Sequence, residues 1–91
     1  LVSRGRQLGR RRVDAPQDLE SDAFYNLGNA LFKKAEREKD ADLKAAIQSL
    51  RTSVEAYREA LSREPNAEDA KYNFELAQRL MKHLAQELKK Q

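Results

Sequence analysis

Six apolar or aromatic residues in the middle of the chain recur at helical spacing over 19 residues. The intervals between them are four, three, four, three and four: Leu43, Ile47, Leu50, Val54, Tyr57 and Leu61. This period places all six side chains on one stripe of a single long α-helix. Because an apolar stripe has to be covered, the chain must supply further helices of similar length to pack against it.

Two other segments have the pattern of such helices. The first has Phe24, Leu27 and Leu31 on one face, and the other follows Pro65 with Phe74 at the start of its apolar stripe. Strand patterns are absent from the sequence. We therefore predict an all-α fold, an antiparallel hairpin of elongated helices plus a third C-terminal helix, with helices at about 19–39, 42–63 and 67–89.

Gly28 interrupts the first predicted helix at its centre. A glycine inside a helix costs about 1 kcal/mol relative to alanine, so its presence indicates a packing requirement. We predict that Gly28 allows close approach of the second helix in the region of Tyr57 and Ala60. Phe32 lies off the predicted apolar stripe. It either packs inside the extended part of the hairpin or is exposed, where it would mark a surface for self-association or for a partner.

The positive charge is concentrated in a tail before the helices. Residues 1–13 contain no acidic residue and five arginines: Arg4, Arg6, Arg10, Arg11 and Arg12. Residues 1–17 are predicted to be a basic, disordered tail, and 18–91 to form the helical domain. The tail either contacts an anionic surface or nucleic acid, or serves as a solvated linker to a membrane segment or another domain. It has no interleaved aromatic residues, which argues against nucleic acid.

The composition excludes several classes of function. The 91 residues allow one small domain, and the absence of cysteine excludes disulfides and thiol chemistry. His83, the only histidine, has no partners for a metal site, and no catalytic constellation is present, so we expect neither an enzyme nor a cofactor. No apolar run reaches the roughly 20 residues of a membrane span. The chain begins with leucine and is expected to be a piece of a longer protein, cytoplasmic, periplasmic or membrane-associated.

The predicted helices resemble the tetratricopeptide repeat. That family's pattern, over about 34 residues, is W-x2-L-G-x2-Y, then A-x3-F, then a closing proline. The resembling residues are Phe24, Leu27, Gly28 and Leu31 in the first helix, segment 54–66 with Pro65 in the second, and segment 70–79 in the third.

The spacing departs from that family in one respect. Tyr25 and Tyr72 begin similar segments but lie 47 residues apart, 13 more than the repeat of about 34. Shared between two antiparallel helices, the insertion adds nearly two turns to each and keeps their faces aligned. Glu75 replaces the glycine of the second copy, as suits a terminal helix that caps the hairpin.

The resemblance implies a protein–protein interaction module that binds a peptide or partner protein through a helix face. Asparagines on the first helices of such repeats often bind a peptide backbone, because an amide donates and accepts at once. The residues predicted to bind are Tyr25, Asn26, Asn29, Lys33, Tyr72 and Asn73. The alternative is that the asparagines are merely solvated. The sequence lacks the clustered lysines with which some members of this family bind the C-terminal carboxylate of a peptide, so we do not predict that kind of site.

The amino-acid sequence of these repeat-like segments is also similar to repeat segments of some bacterial membrane-linked von Willebrand-A and aerotolerance proteins. That similarity implies a structural or self-associating segment of a larger protein as an alternative function. In either case the residues predicted to be structural are Phe24, Leu27, Gly28, Leu31, Tyr57, Ala60, Pro65 and Phe74.

Overall fold

The computed structural model describes residues 1–2 and 16–91, and the described residues form three α-helices without strands. Helix α1 spans Pro16–Glu38, α2 spans Leu43–Arg63 and α3 spans Glu68–Lys89. The all-α prediction is confirmed, with helix limits within three residues of those predicted. The predicted disordered tail falls largely on residues 3–15, which lie outside the described residues. None of the described helices combines the length and hydrophobicity needed to cross a bilayer.

Short connections set the helix directions. Asp42 caps the N-terminus of α2, where its Oδ1 accepts a hydrogen bond of 3.0 Å from the Ala45 N–H. Between α2 and α3, the N–H of Ala67 donates to the Glu64 carbonyl at 3.1 Å, and Pro65 lies exposed in this turn. Because both connections are tight, α2 is antiparallel to α1 and to α3, and α1 and α3 run in the same direction.

Helices α1 and α2 pack closely and are joined by buried polar contacts. The Ser53 hydroxyl donates to the Gly28 carbonyl at 2.7 Å in a buried contact. The Ser21 hydroxyl donates to Oε1 of Glu64, the residue that follows α2, at 2.9 Å in a partly buried contact. Ser53 and Ser21 expose no surface, so their hydroxyls need these partners. Small side chains and Gly28 bring the two backbones near enough for the contacts to form.

The core-facing side of α1 differs from the prediction. Leu27, predicted to be structural, is 47% exposed, and Phe24 and Leu31 are only partly buried. Helix α1 is thus rotated about its axis relative to the prediction, and Gly28 explains this rotation. Gly28 itself lies beneath Tyr57, so the core stripe of α1 runs through Gly28 rather than through its neighbour Leu27. The buried residues of this stripe are Ser21, Tyr25, Gly28, Phe32 and Ala35.

Helix α3 covers the other side of α2. Its buried residues are Ala70, Asn73, Ala77 and Leu84, while Phe74 is partly buried and lies under the guanidinium of Arg58, 5.8 Å from the ring centroid. The small alanines allow α3 to lie close to α2, and it meets α1 only along a narrow strip. This strip, between α1 and α3, contains a polar residue with no exposed surface.

Candidate functional site

Asn73 is the buried polar residue between α1 and α3. It exposes no surface, and its side-chain Nδ2 donates to Asn29 Oδ1 at 3.1 Å and to the Tyr25 hydroxyl at 3.2 Å. Tyr25 is also fully buried. Burying an amide is unfavourable unless its donors and acceptors are paired, so these contacts hold Asn73 in one orientation.

Tyr57 of α2 holds Asn29 in turn. Its hydroxyl donates to Asn29 Oδ1 at 2.5 Å, and its ring lies 6.2 Å from that of Tyr25, tilted by 55°. Burial, the largest cause, raises the pKa of Tyr57 above its ordinary value, so the hydroxyl stays protonated and serves as a donor. The oxygen of Asn29 therefore receives two hydrogen bonds, and the nitrogen of Asn73 is directed toward it.

The same Asn73 amide binds the backbone of Val2. The Val2 N–H donates to Asn73 Oδ1 at 2.9 Å, and the Val2 carbonyl accepts from Asn73 Nδ2 at 2.7 Å. Because Nδ2 carries two hydrogens and has three acceptors, two of the acceptors share one hydrogen. The Tyr25 hydroxyl also donates to the Val2 carbonyl. One amide thus engages both backbone groups of a single residue. These contacts do not depend on the identity of the Val2 side chain.

Leu1 extends this contact along the strip. It is 41% exposed and borders a surface cavity of about 310 Å³. Besides Leu1, the cavity is lined by three apolar residues, Phe32, Leu76 and Leu80, and by three charged ones, Glu36, Lys39 and Arg79. Since Leu1 lies beside Phe32 and Val2 lies beside Tyr25, the segment runs antiparallel to α1. We call the surface formed by Tyr25, Asn29, Phe32, Asn73 and Leu76 the α1/α3 groove.

The structure brings together three of the six residues predicted to bind, namely Tyr25, Asn29 and Asn73. The other three do not join their hydrogen-bond network. Asn26 and Lys33 are exposed on α1, and Tyr72 is 54% exposed on α3. The reason is geometric: adjacent helical residues differ by about 100° around the axis. Asn26 and Tyr72, the neighbours of Tyr25 and Asn73, therefore point elsewhere, as does Lys33 beside the buried Phe32.

The hydrogen-bonded network and the docked segment include three residues that were not predicted to bind: Tyr57, Leu1 and Val2. Tyr57 was predicted to be structural only, although a hydroxyl within an apolar stripe indicates a buried hydrogen-bond partner. Nothing in the sequence indicated that Leu1 and Val2 contact the helices, because two apolar residues before a basic segment show no periodic pattern.

The groove is uncharged where it binds Val2. The network consists of two amides and two phenols, and none of these four side chains carries a charge at neutral pH. Within the described residues, no group of histidine, aspartate or glutamate side chains could hold a metal ion. The chemistry available at this site is therefore the pairing of backbone N–H and C=O groups.

Comparison with known proteins gave no match. No family model, no curated protein and no solved structure resembles the chain closely enough to indicate homology.

Proposed function

We propose that this chain is a peptide-binding module that receives an extended segment of a partner protein in the α1/α3 groove. One observation carries the proposal: the Asn73 amide binds both the N–H and the carbonyl of Val2. An extended segment of another protein offers the same pair of groups. The groove would then recognise backbone first and side chains second.

Preorganisation supports this role. Asn29 Oδ1 accepts one hydrogen bond from the Tyr57 hydroxyl and another from Asn73 Nδ2. These two bonds hold the Asn73 amide in its orientation. Because the amide is already ordered, binding a ligand does not include the free-energy cost of ordering it, which favours binding. Among the described residues, Tyr25 and Asn73 hydrogen-bond the Val2 backbone. With so few hydrogen bonds, the expected affinity of a single groove for a peptide is modest, micromolar or weaker.

The resemblance to the tetratricopeptide repeat also supports the proposal. In that family, asparagines on the first helix of each repeat often bind peptide backbones. Asn29 and Asn73 lie on α1 and α3, the two helices whose sequences resemble that first helix. The proposal thus describes one tetratricopeptide-like hairpin, lengthened in both helices, with α3 as its cap. The cavity beside Leu1 would accept a neighbouring side chain of the ligand against its apolar residues Phe32, Leu76 and Leu80.

The proposal is tested by selecting peptides and mapping where they bind. A display library of random peptides is selected against the whole chain, and a selected peptide is titrated into isotope-labelled protein. We expect the side-chain amide resonances of Asn29 and Asn73 to shift strongly, because they lie in the groove. Those of Asn26 and Asn66, which are exposed, serve as internal controls and should move little.

Two results would overturn the assignment. In one, the selection yields no peptide that binds. In the other, a bound peptide shifts the Asn26 or Asn66 amides while leaving Asn73 unchanged, which would place the interaction on a different surface.

A further inference from the structure

We propose that Leu1–Val2 is an internal ligand of the α1/α3 groove, and that a partner segment binds only by displacing it. The inference rests on the proposed peptide-binding function and adds a form of regulation to it. The internal segment competes for the same atoms that a partner would use, namely Asn73 Oδ1 and Nδ2 and the Tyr25 hydroxyl. The groove is therefore self-inhibited.

Burial shows why displacement is required. With Leu1–Val2 in place, Tyr25 and Asn73 expose no surface at all. An incoming strand cannot reach the two hydrogen-bonding positions of the Asn73 amide while Val2 fills them. Simultaneous binding of the internal segment and a partner at Asn73 is thus excluded by geometry.

The internal segment can leave without disturbing the helices. Leu1 and Val2 are 41% and 40% exposed, and neither belongs to a helix. Fourteen residue steps separate Val2 from Pro16, a length that can span up to about 46 Å. The distance along α1 from Pro16 to Tyr25 is only about 14 Å. The connection therefore permits both docking and release.

Tethering makes this short ligand an effective competitor. A segment joined to its own site by a short connection has an effective concentration in the millimolar range. Even a weak contact such as that of Val2 is then occupied for much of the time. If about 80% of the molecules are self-occupied, the apparent affinity for an external peptide falls about fivefold.

The geometry also restricts the partner. Its anchor residue must carry a backbone N–H, because Asn73 Oδ1 accepts one from Val2. Proline at that position would leave the buried Asn73 oxygen without a donor. The partner segment is expected to run antiparallel to α1 and to place an apolar side chain beside Phe32 and Leu76, as Leu1 does.

The test supplies the internal segment as a separate peptide. A peptide with the sequence of residues 1–13 is titrated into three forms of the whole chain: the unaltered protein, Val2→Pro and Val2→Ala. Val2→Pro removes the N–H that Asn73 accepts, whereas Val2→Ala keeps both backbone groups and is the matched control. Binding is followed through the side-chain amide resonances of Asn73.

At a self-occupancy of about 80%, we expect the peptide to bind Val2→Pro about fivefold more tightly than it binds the unaltered protein or Val2→Ala. The reason is that only the Val2→Pro protein has a vacated groove. A peptide of the same sequence carrying Val2→Pro should not bind to any form. This second peptide has the same charge, so it also controls for attraction between five arginines and the helices.

Equal binding by all three forms would overturn self-inhibition while leaving peptide binding intact. If sedimentation shows dimers that Val2→Pro dissociates, the occupant is the segment of a second copy, which also overturns the proposal. If Val2→Pro shifts the Asn73 resonance but no peptide of any sequence binds, the proposed function fails, and Val2 is only a structural contact.

Discussion

Replacing Asn73 with alanine is expected to weaken the binding of a selected peptide about tenfold or more, and to lower the free energy of unfolding by about 2 kcal/mol. The substitution removes the hydrogen bonds from Asn73 to the Val2 backbone, to Tyr25 and to Asn29. Each such bond contributes about 0.5–1.5 kcal/mol, and a buried partner left without one costs more.

The effect on binding should be specific to Asn73. Alanine is the best helix former, so Asn73→Ala should retain the helical content of α3 in far-ultraviolet circular dichroism. The matched control is Asn26→Ala, which removes the same amide from an exposed position on α1 and should change peptide affinity by less than about twofold. Equal losses in the two variants, measured by titration calorimetry or resonance shifts, would show that the groove assignment is wrong.

Replacing Gly28 with alanine is expected to destabilise the fold by about 1–2 kcal/mol, although alanine is the better helix former. A Cβ at this position would lie 2.6 Å from Tyr57 Cε1, and two other atoms of the ring lie within 2.9 Å. Tyr57 is fully buried and tied to Asn29, so its ring cannot move away cheaply. Overpacking costs about 1–3 kcal/mol, which exceeds the gain in helix propensity of about 0.5–1 kcal/mol.

A double-mutant cycle isolates this clash. In a Tyr57→Leu background the ring is absent, so Gly28→Ala should become neutral or stabilising by about 0.5–1 kcal/mol. Ala30→Gly lies at an exposed position of α1 and therefore measures only the difference in helix propensity between alanine and glycine. All variants are compared by urea unfolding. If Gly28→Ala is stabilising in the original background, Gly28 is not required for the approach of Tyr57.

The helices were predictable because their patterns are long and regular. The six-residue stripe of α2 fixed its extent to within one residue, and Asp42 supplied a recognisable cap. The close approach at Gly28 was predictable for a similar reason, since a glycine inside a helix is costly unless another group needs the space. For each of these features the signal lies in the local sequence, even where, as at Gly28, the contact that it indicates is with another helix.

The rotation of α1 and the organisation of the groove were harder to predict. Phe24 and Leu27 are as apolar as the true core residues Tyr25 and Phe32, so hydrophobicity does not distinguish the two stripes. The choice depends on the contact between Gly28 and α2, which is tertiary. The docking of Val2 is also a tertiary contact, between residues 71 positions apart, and has no local signal.

In the proposed function, the Asn73 amide is a receptor for extended backbone. A crystal structure of the whole chain with a selected peptide bound is the decisive experiment. We predict that one peptide residue places its N–H on Asn73 Oδ1 and its carbonyl on Asn73 Nδ2, where Val2 lies in the unbound chain. A structure in which Asn73 still holds Val2 while the peptide lies on another surface would contradict the account.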